Sequence, residues 1–143
     1  MRQTALRLQQ VIEETEPRLL GIAQPESRPS AVKWSKKEVL GHLIDSAANN
    51  HQRFVRSQLQ RELVLPGYAQ ADWNRAQQYQ SEAWENLVRL WASYNRHLAH
   101  VMAAISESDS HNTCTIGEGK PVTLEFLVTD YVSHLEHHLR QIL

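Results

Sequence analysis

Three histidines fall within five positions close to the end of the sequence, His134, His137 and His138 in the stretch SHLEHHLRQIL. Histidine is only an average helix former, so helix propensity does not account for the cluster. On a helix, positions 127, 131, 134, 138 and 142 share one face, because steps of three and four residues return to the same side. His134 and His138 therefore interrupt a stripe made otherwise of Leu127, Tyr131 and Ile142. A buried imidazole needs partners for both ring nitrogens, and leucine and tyrosine neighbours do not offer two. Histidines at i and i+4 can instead aim two nitrogens at one ion about 2.0–2.1 Å away.

Such a site wants a third protein ligand, which a helical bundle takes from another helix. His42 is the candidate. It sits six or seven residues into its own helix, and His138 lies a similar distance from the end of the last one, each on the order of 10 Å from a bundle end. Equal depth requires the second and fourth helices to run antiparallel. A plain up-down-up-down bundle makes them parallel, so the ligand set of His42, His134 and His138 demands a crossover connection. The competing reading is that these are partly buried structural histidines, since eight histidines in 143 residues place some pairs three or four apart by accident.

The other polar candidates weigh less. Asp45, with Ser46 and Asn49, continues the flank of the helix that carries His42 and is the best carboxylate for orienting an imidazole or for acid/base work. His137 points off the stripe, toward the surface, the ligands' neighbours or a subunit contact. His51 lies on a core stripe and is expected to be hydrogen-bonded there; His97, His100 and His111 are expected to be solvated. Cys114 has no sequence partner that would make it a nucleophile, and TIGEGK lacks the spacing of a phosphate loop.

The elements that must position these residues are read from helical periodicity. The first segment covers about residues 2–22, with Leu6, Leu8, Val11, Ile12, Leu19, Leu20 and Ile22 apolar; Pro17 predicts a kink or restart and Gly21 an end. The second begins near residue 36, where Ser35 and Glu38 form a capping box, and buries Leu40, Leu43, Ile44, Ala47, His51, Phe54 and Val55 up to about Leu59. A third runs from about Ser81 to Ile105 with Trp84, Leu87, Trp91, Leu98 and Met102 inward. The fourth follows Pro121 and the cap Thr123. The connections, about residues 23–34, 60–80 and 107–122, are each long enough to cross the bundle. Within the second, Pro66 and Gly67 suit a type II turn, and Tyr68, Trp73 and Tyr79 must cover one end of the bundle.

Bulk properties restrict the class. The length, 143 residues, suits one domain spanning residues 1–143. With 15 Lys plus Arg against 16 Asp plus Glu and no run of like charge, nucleic acid is disfavoured as a partner. The single cysteine leaves no internal disulfide, and the first residues lack the apolar stretch of a signal peptide, so a cytoplasmic protein is expected. No stretch approaches the roughly 18–20 apolar residues that cross a bilayer, so no membrane partner is expected. The fold class is all-α, a four-helix bundle with long crossover connections.

The stretch WSKKEVLGHLIDSAANNHQRF, followed much later by DYVSHLEHHLRQI, resembles the DinB-like superfamily of small bundle proteins, in particular its YfiT-type metal-dependent hydrolases. The resemblance spans nearly the whole chain, including PGYAQADW and the tryptophan-rich third helix. It implies a crossover four-helix bundle, commonly a homodimer, with one divalent ion, usually nickel or zinc, on three histidines. By position these are His42 in LGHLID and the pair His134 and His138 in HLEHH. Three neutral ligands leave the ion's charge uncompensated and a position open, which suits catalysis better than structure. The resemblance implies one of two reactions on a small-molecule substrate, hydrolysis or transfer of a low-molecular-weight thiol, the second needing a thiol cosubstrate for which Arg53 or Arg56 offers a charge. The alternative class is a non-catalytic binding or assembly module with a structural metal or none.

Overall fold

The computed structural model describes all residues 1–143. In chain order it contains α1 (Arg2–Leu20), α2 (Lys36–Leu59), β1 (Glu62–Leu65), α3 (Gln70–Gln77), a 3₁₀ turn (Tyr79–Ser81), α4 (Trp84–Ala104), α5 (Glu107–Ser110), β2 (Thr113–Ile116), β3 (Val122–Thr123) and α6 (Leu124–Ile142). The four long helices form a bundle in which α1 packs on α4, α4 on α2, α2 on α6 and α6 back on α1. None is long and apolar enough to cross a membrane.

Helix directions follow from side-chain contacts. The start of α2 meets the end of α6 where His42 faces His138, and further along Phe54 faces Tyr131, so these two helices are antiparallel. Ser35 before α2 bonds Gln80 before α4, and His51 meets Tyr94 and His97, so α2 and α4 run parallel. The order is up, down, down, up. Only the connection from α2 to α4 traverses the length of the bundle; the other two join neighbouring ends.

The helix boundaries obey local chemistry. Ser35 and Glu38 form the reciprocal capping box at the start of α2, and Thr123 accepts the Phe126 N–H at the start of α6. Of the kink or restart expected at Pro17, the restart does not occur: α1 runs through it to Leu20. Pro17 lies in the last turn, and the carbonyl its missing N–H would have met belongs to the exposed Glu13, where water can serve it. Leu6, Leu20 and Val55, expected among the apolar, inward residues, are exposed, Leu20 as the last residue of α1. The core is built from residues such as Leu8, Ile12, Leu40, Leu43, Phe54, Trp91, Leu98, Met102 and Leu135, all fully buried.

The connections hold structure that periodicity did not reveal. β1 pairs parallel with β2, Leu63 opposite Cys114, and β2 pairs antiparallel with β3 through Gly117, whose φ of 58° closes the TIGEGK turn. Pro66–Gly67 forms no type II turn, since Gly67 has no positive φ; the chain runs on from β1 toward α3 without reversing. Of the three aromatic residues of the crossover, Tyr79 is buried, Tyr68 half-buried and Trp73 largely exposed. Tyr79 packs on α2 at Gly41, where an added Cβ would come within 2.1 Å of its ring.

Candidate metal centre

The capping box sets the register of α2, and with it the azimuth of His42 seven residues on. Glu38 is further pinned by Arg28, whose Nε and Nη2 donate to its two oxygens at 2.9 and 2.5 Å. The Trp34 ring, just before the cap, packs 5.5 Å from the His42 ring. On the other side, α6 presents His134 and His138 one turn apart near its C-terminal end. Because α2 and α6 are antiparallel neighbours, the three rings converge at one level of the bundle.

Ring centroids lie 5.2 Å apart for His42 and His134, 4.9 Å for His42 and His138, and 4.5 Å for His134 and His138. One nitrogen from each ring falls within 4.8 Å of the other two. His42 Nε2 and His134 Nε2 are 3.3 Å apart. Two nitrogens bound tetrahedrally at 2.0–2.1 Å stand about 3.3–3.4 Å from each other, so the pair has the spacing of two ligands of one ion. The residues fit a divalent metal of the borderline class that imidazole prefers.

Electrostatics favour the ligating form. His42 is 2% exposed, and burial, reinforced by His134 and His138, lowers its pKa to about 4. His134 is lowered as well, by burial first and then by His138, with Asp130 opposing. Both rings are neutral near pH 7 and can bind without first losing a proton. His138 Nδ1 donates to Gln141 Oε1 at 3.1 Å, which leaves Nε2 as the nitrogen with a free lone pair, and Gln141 Nε2 donates to His137 Nε2 at 3.1 Å. His137 thus sits behind a ligand candidate, through a glutamine. His42 Nδ1 is buried with no hydrogen-bond partner, so packing holds that ring.

Asp45 occupies a different place. It is 1% exposed, and its Oδ1 accepts from Tyr79 Oη at 2.7 Å and from Gln77 Nε2 at 2.5 Å. Burial raises its carboxyl pKa against the pull of those two donors. Its visible work is to tie the crossover segment onto α2, one turn from His42. His51 is half-buried with Nδ1 3.2 Å from Tyr94 Oη, and His97, His100 and His111 are exposed, as expected.

Beside the three rings a cavity of about 300 Å³ opens between α2, α6 and the crossover segment, with His134 in its wall. Arg53 lines it; Arg56 is exposed and does not. Asp130 lines it too, one helical turn before His134. Sequence reasoning passed over Asp130 and Gln141, although spacings of four to His134 and three to His138 put each beside a ligand candidate. No local signal could have singled out Gln77 and Tyr79, because they reach α2 only through the path of the crossover.

The model of the DinB superfamily matches residues 3–142, and the chain belongs to that superfamily. Among solved structures it is similar to YfiT from Bacillus subtilis, described as a probable metal-dependent hydrolase with an unusual four-helix bundle topology. That likeness has a TM-score of 0.87 at 16% identity and covers 99% of this chain and 83% of the other, so it speaks for the fold. No curated protein matches the chain in sequence.

Proposed function

We propose that the chain is a metal-dependent enzyme in which His42, His134 and His138 hold one divalent ion, nickel or zinc, for hydrolysis of a small molecule or transfer of a low-molecular-weight thiol to it. The observation that carries this reading is the convergence of three imidazoles, each offering one nitrogen within 4.8 Å of the others, with His134 in the wall of a cavity. An ion there would supply Lewis acidity, enough to acidify a water or a thiol near neutral pH.

The protein's own contributions are distinct from the ion's. His42 and His134 are kept neutral by burial and mutual proximity, and Gln141 fixes the His138 tautomer. Tyr79 and Gln77 hold Asp45 behind the site, which supports a positioning role for that residue rather than direct acid/base work. Asp130 is the carboxylate in the cavity wall and the better placed to take a proton from a bound nucleophile. A homodimer, implied by the resemblance, and a cytoplasmic setting, which suits the single cysteine, complete the proposal.

The test is a pair of assays on tag-free protein loaded with nickel or zinc, one following ester and amide hydrolysis and one following thiol consumption by an electrophile. The reading expects one activity that chelation removes and metal restores. Metal-loaded protein inactive in both, with a melting temperature that collapses on chelation, would favour the structural-ion module instead.

A further inference from the structure

The cavity next to His134 contains a cation without an acidic partner. Arg53 is half-buried, and none of the chain's ion pairs includes it. Its recorded polar contact is a neutral one: Nη1 donates to Asn50 Oδ1 at 3.2 Å. Asn50 is itself locked, since its Nδ2 donates to Ser46 O at 2.9 Å, so the amide oxygen is held toward Arg53. Burial works against the guanidinium's charge, and its neighbour Tyr68 is a neutral phenol whose own pKa is pushed up to about 12. A partly desolvated guanidinium facing a cavity gains more from an anion than a solvated one, and binds carboxylates by paired N–H donors.

The placement relative to the histidines is defined by α2 and α6. His42 and Arg53 are eleven residues apart, three turns, hence on one face of α2. The cavity wall on α6 runs from Leu127 through Tyr131 to His134, a rise on the order of 10 Å. The acidic group in this cavity, Asp130, is exposed and lies one turn from His134. Arg53 therefore marks one end of the cavity, and His134, the ring that joins His42 and His138, marks the other.

We propose that this cavity is a carboxylate-recognition subsite: Arg53, flanked by Asn50 and Tyr68, takes an anionic group of the substrate or cosubstrate at the end of the cavity away from the reacting end at His134. This rests on the metal-centre reading for the reacting end only. The substrate class is then a small acid whose reactive function and carboxylate sit at opposite ends.

Two probes of equal length separate the claims, 6-mercaptohexanoate and 6-mercaptohexanol. In cobalt-loaded protein, thiol binding is read from the sulfur-to-cobalt absorption. In metal-free protein, the Arg53 Nε–Hε nuclear magnetic resonance, assigned by its loss in Arg53→Gln, is followed during titration. The carboxylate probe should bind the cobalt protein roughly tenfold or more tightly than the alcohol, a preference that Arg53→Gln abolishes and Arg53→Lys partly keeps. In the metal-free protein it should shift the Arg53 resonance saturably while the alcohol does not. Equal affinities in the parent, a preference that survives Arg53→Gln, or an unmoved Arg53 resonance overturns the subsite. A responsive Arg53 resonance together with a silent cobalt spectrum keeps the subsite and instead refutes the open metal position.

Discussion

Replacing Gly41 by alanine should damage this protein although alanine is the better helix former. The new Cβ would meet Tyr79 Cδ2, Cγ and Cε2 at 2.1, 2.3 and 2.7 Å, distances no real methyl tolerates. A rigid ring cannot yield as a flexible chain end does, and Tyr79 is 6% exposed with its hydroxyl bound to Asp45. Overpacking costs about 1–3 kcal/mol, and losing a hydrogen bond to a charged group about 1.5–3 kcal/mol. The propensity gain of Gly→Ala returns about 1 kcal/mol. The net loss is about 1.5–5 kcal/mol, a fall of about 5–18 °C in melting temperature for a chain of this size. The sign should reverse in a Tyr79→Ala background, where the space is open and Gly41→Ala should stabilise by up to about 1 kcal/mol. Thermal and urea unfolding of the four proteins of this cycle measure both numbers. Gly41→Ala that is neutral or stabilising with Tyr79 present would refute the packing of the crossover on α2.

Two further predictions concern the histidines. The unfolded chain protonates His42 near pH 6.5 but the folded chain only near 4, so metal-free protein should be fully stable above 6.5 and lose up to about 3 kcal/mol as pH falls toward 4. Urea unfolding of the parent and of His42→Leu at pH 7 and 4.5 checks this, the variant showing the smaller drop; equal drops would mean His42 is not held neutral by the fold. Gln141→Ala removes the acceptor that orients His138 and should weaken metal affinity about 10–100-fold with little change in melting temperature of the metal-free protein. Competition with a chromogenic chelator measures it, and unchanged affinity would sink the orienting role.

Much of this architecture is written locally. The capping box at Ser35 and Glu38, the cap at Thr123 and the apolar periods of the long helices are short-range signals, and α2 and α6 formed where they placed them. The antiparallel pairing of these helices followed from the depth at which His42 and His138 could meet. What lay hidden is non-local. β1 and β2 pair residues 51 positions apart, Glu62 with Thr113, and four-residue strands carry no period long enough to read. Three long connections looked equally able to cross, and contacts between α2 and the segments around it, such as Ser35 with Gln80 and His51 with Tyr94, show which one does. Leu6 and Val55 misled because periodicity gives the direction of a stripe better than its width. Asp45 was visible as a polar neighbour of His42, but its partners Gln77 and Tyr79 come from the crossover, so its tethering role could not be read from α2 alone.

The central claim is that His42, His134 and His138 bind one ion together. Elemental mass spectrometry of tag-free protein, purified and then equilibrated with nickel or zinc and desalted, tests it most directly. The account predicts about one equivalent in the parent and almost none in His134→Ala or His138→Ala, with circular dichroism showing that both variants keep their helices. A parent that takes up neither metal, or variants that retain a full equivalent, would contradict it.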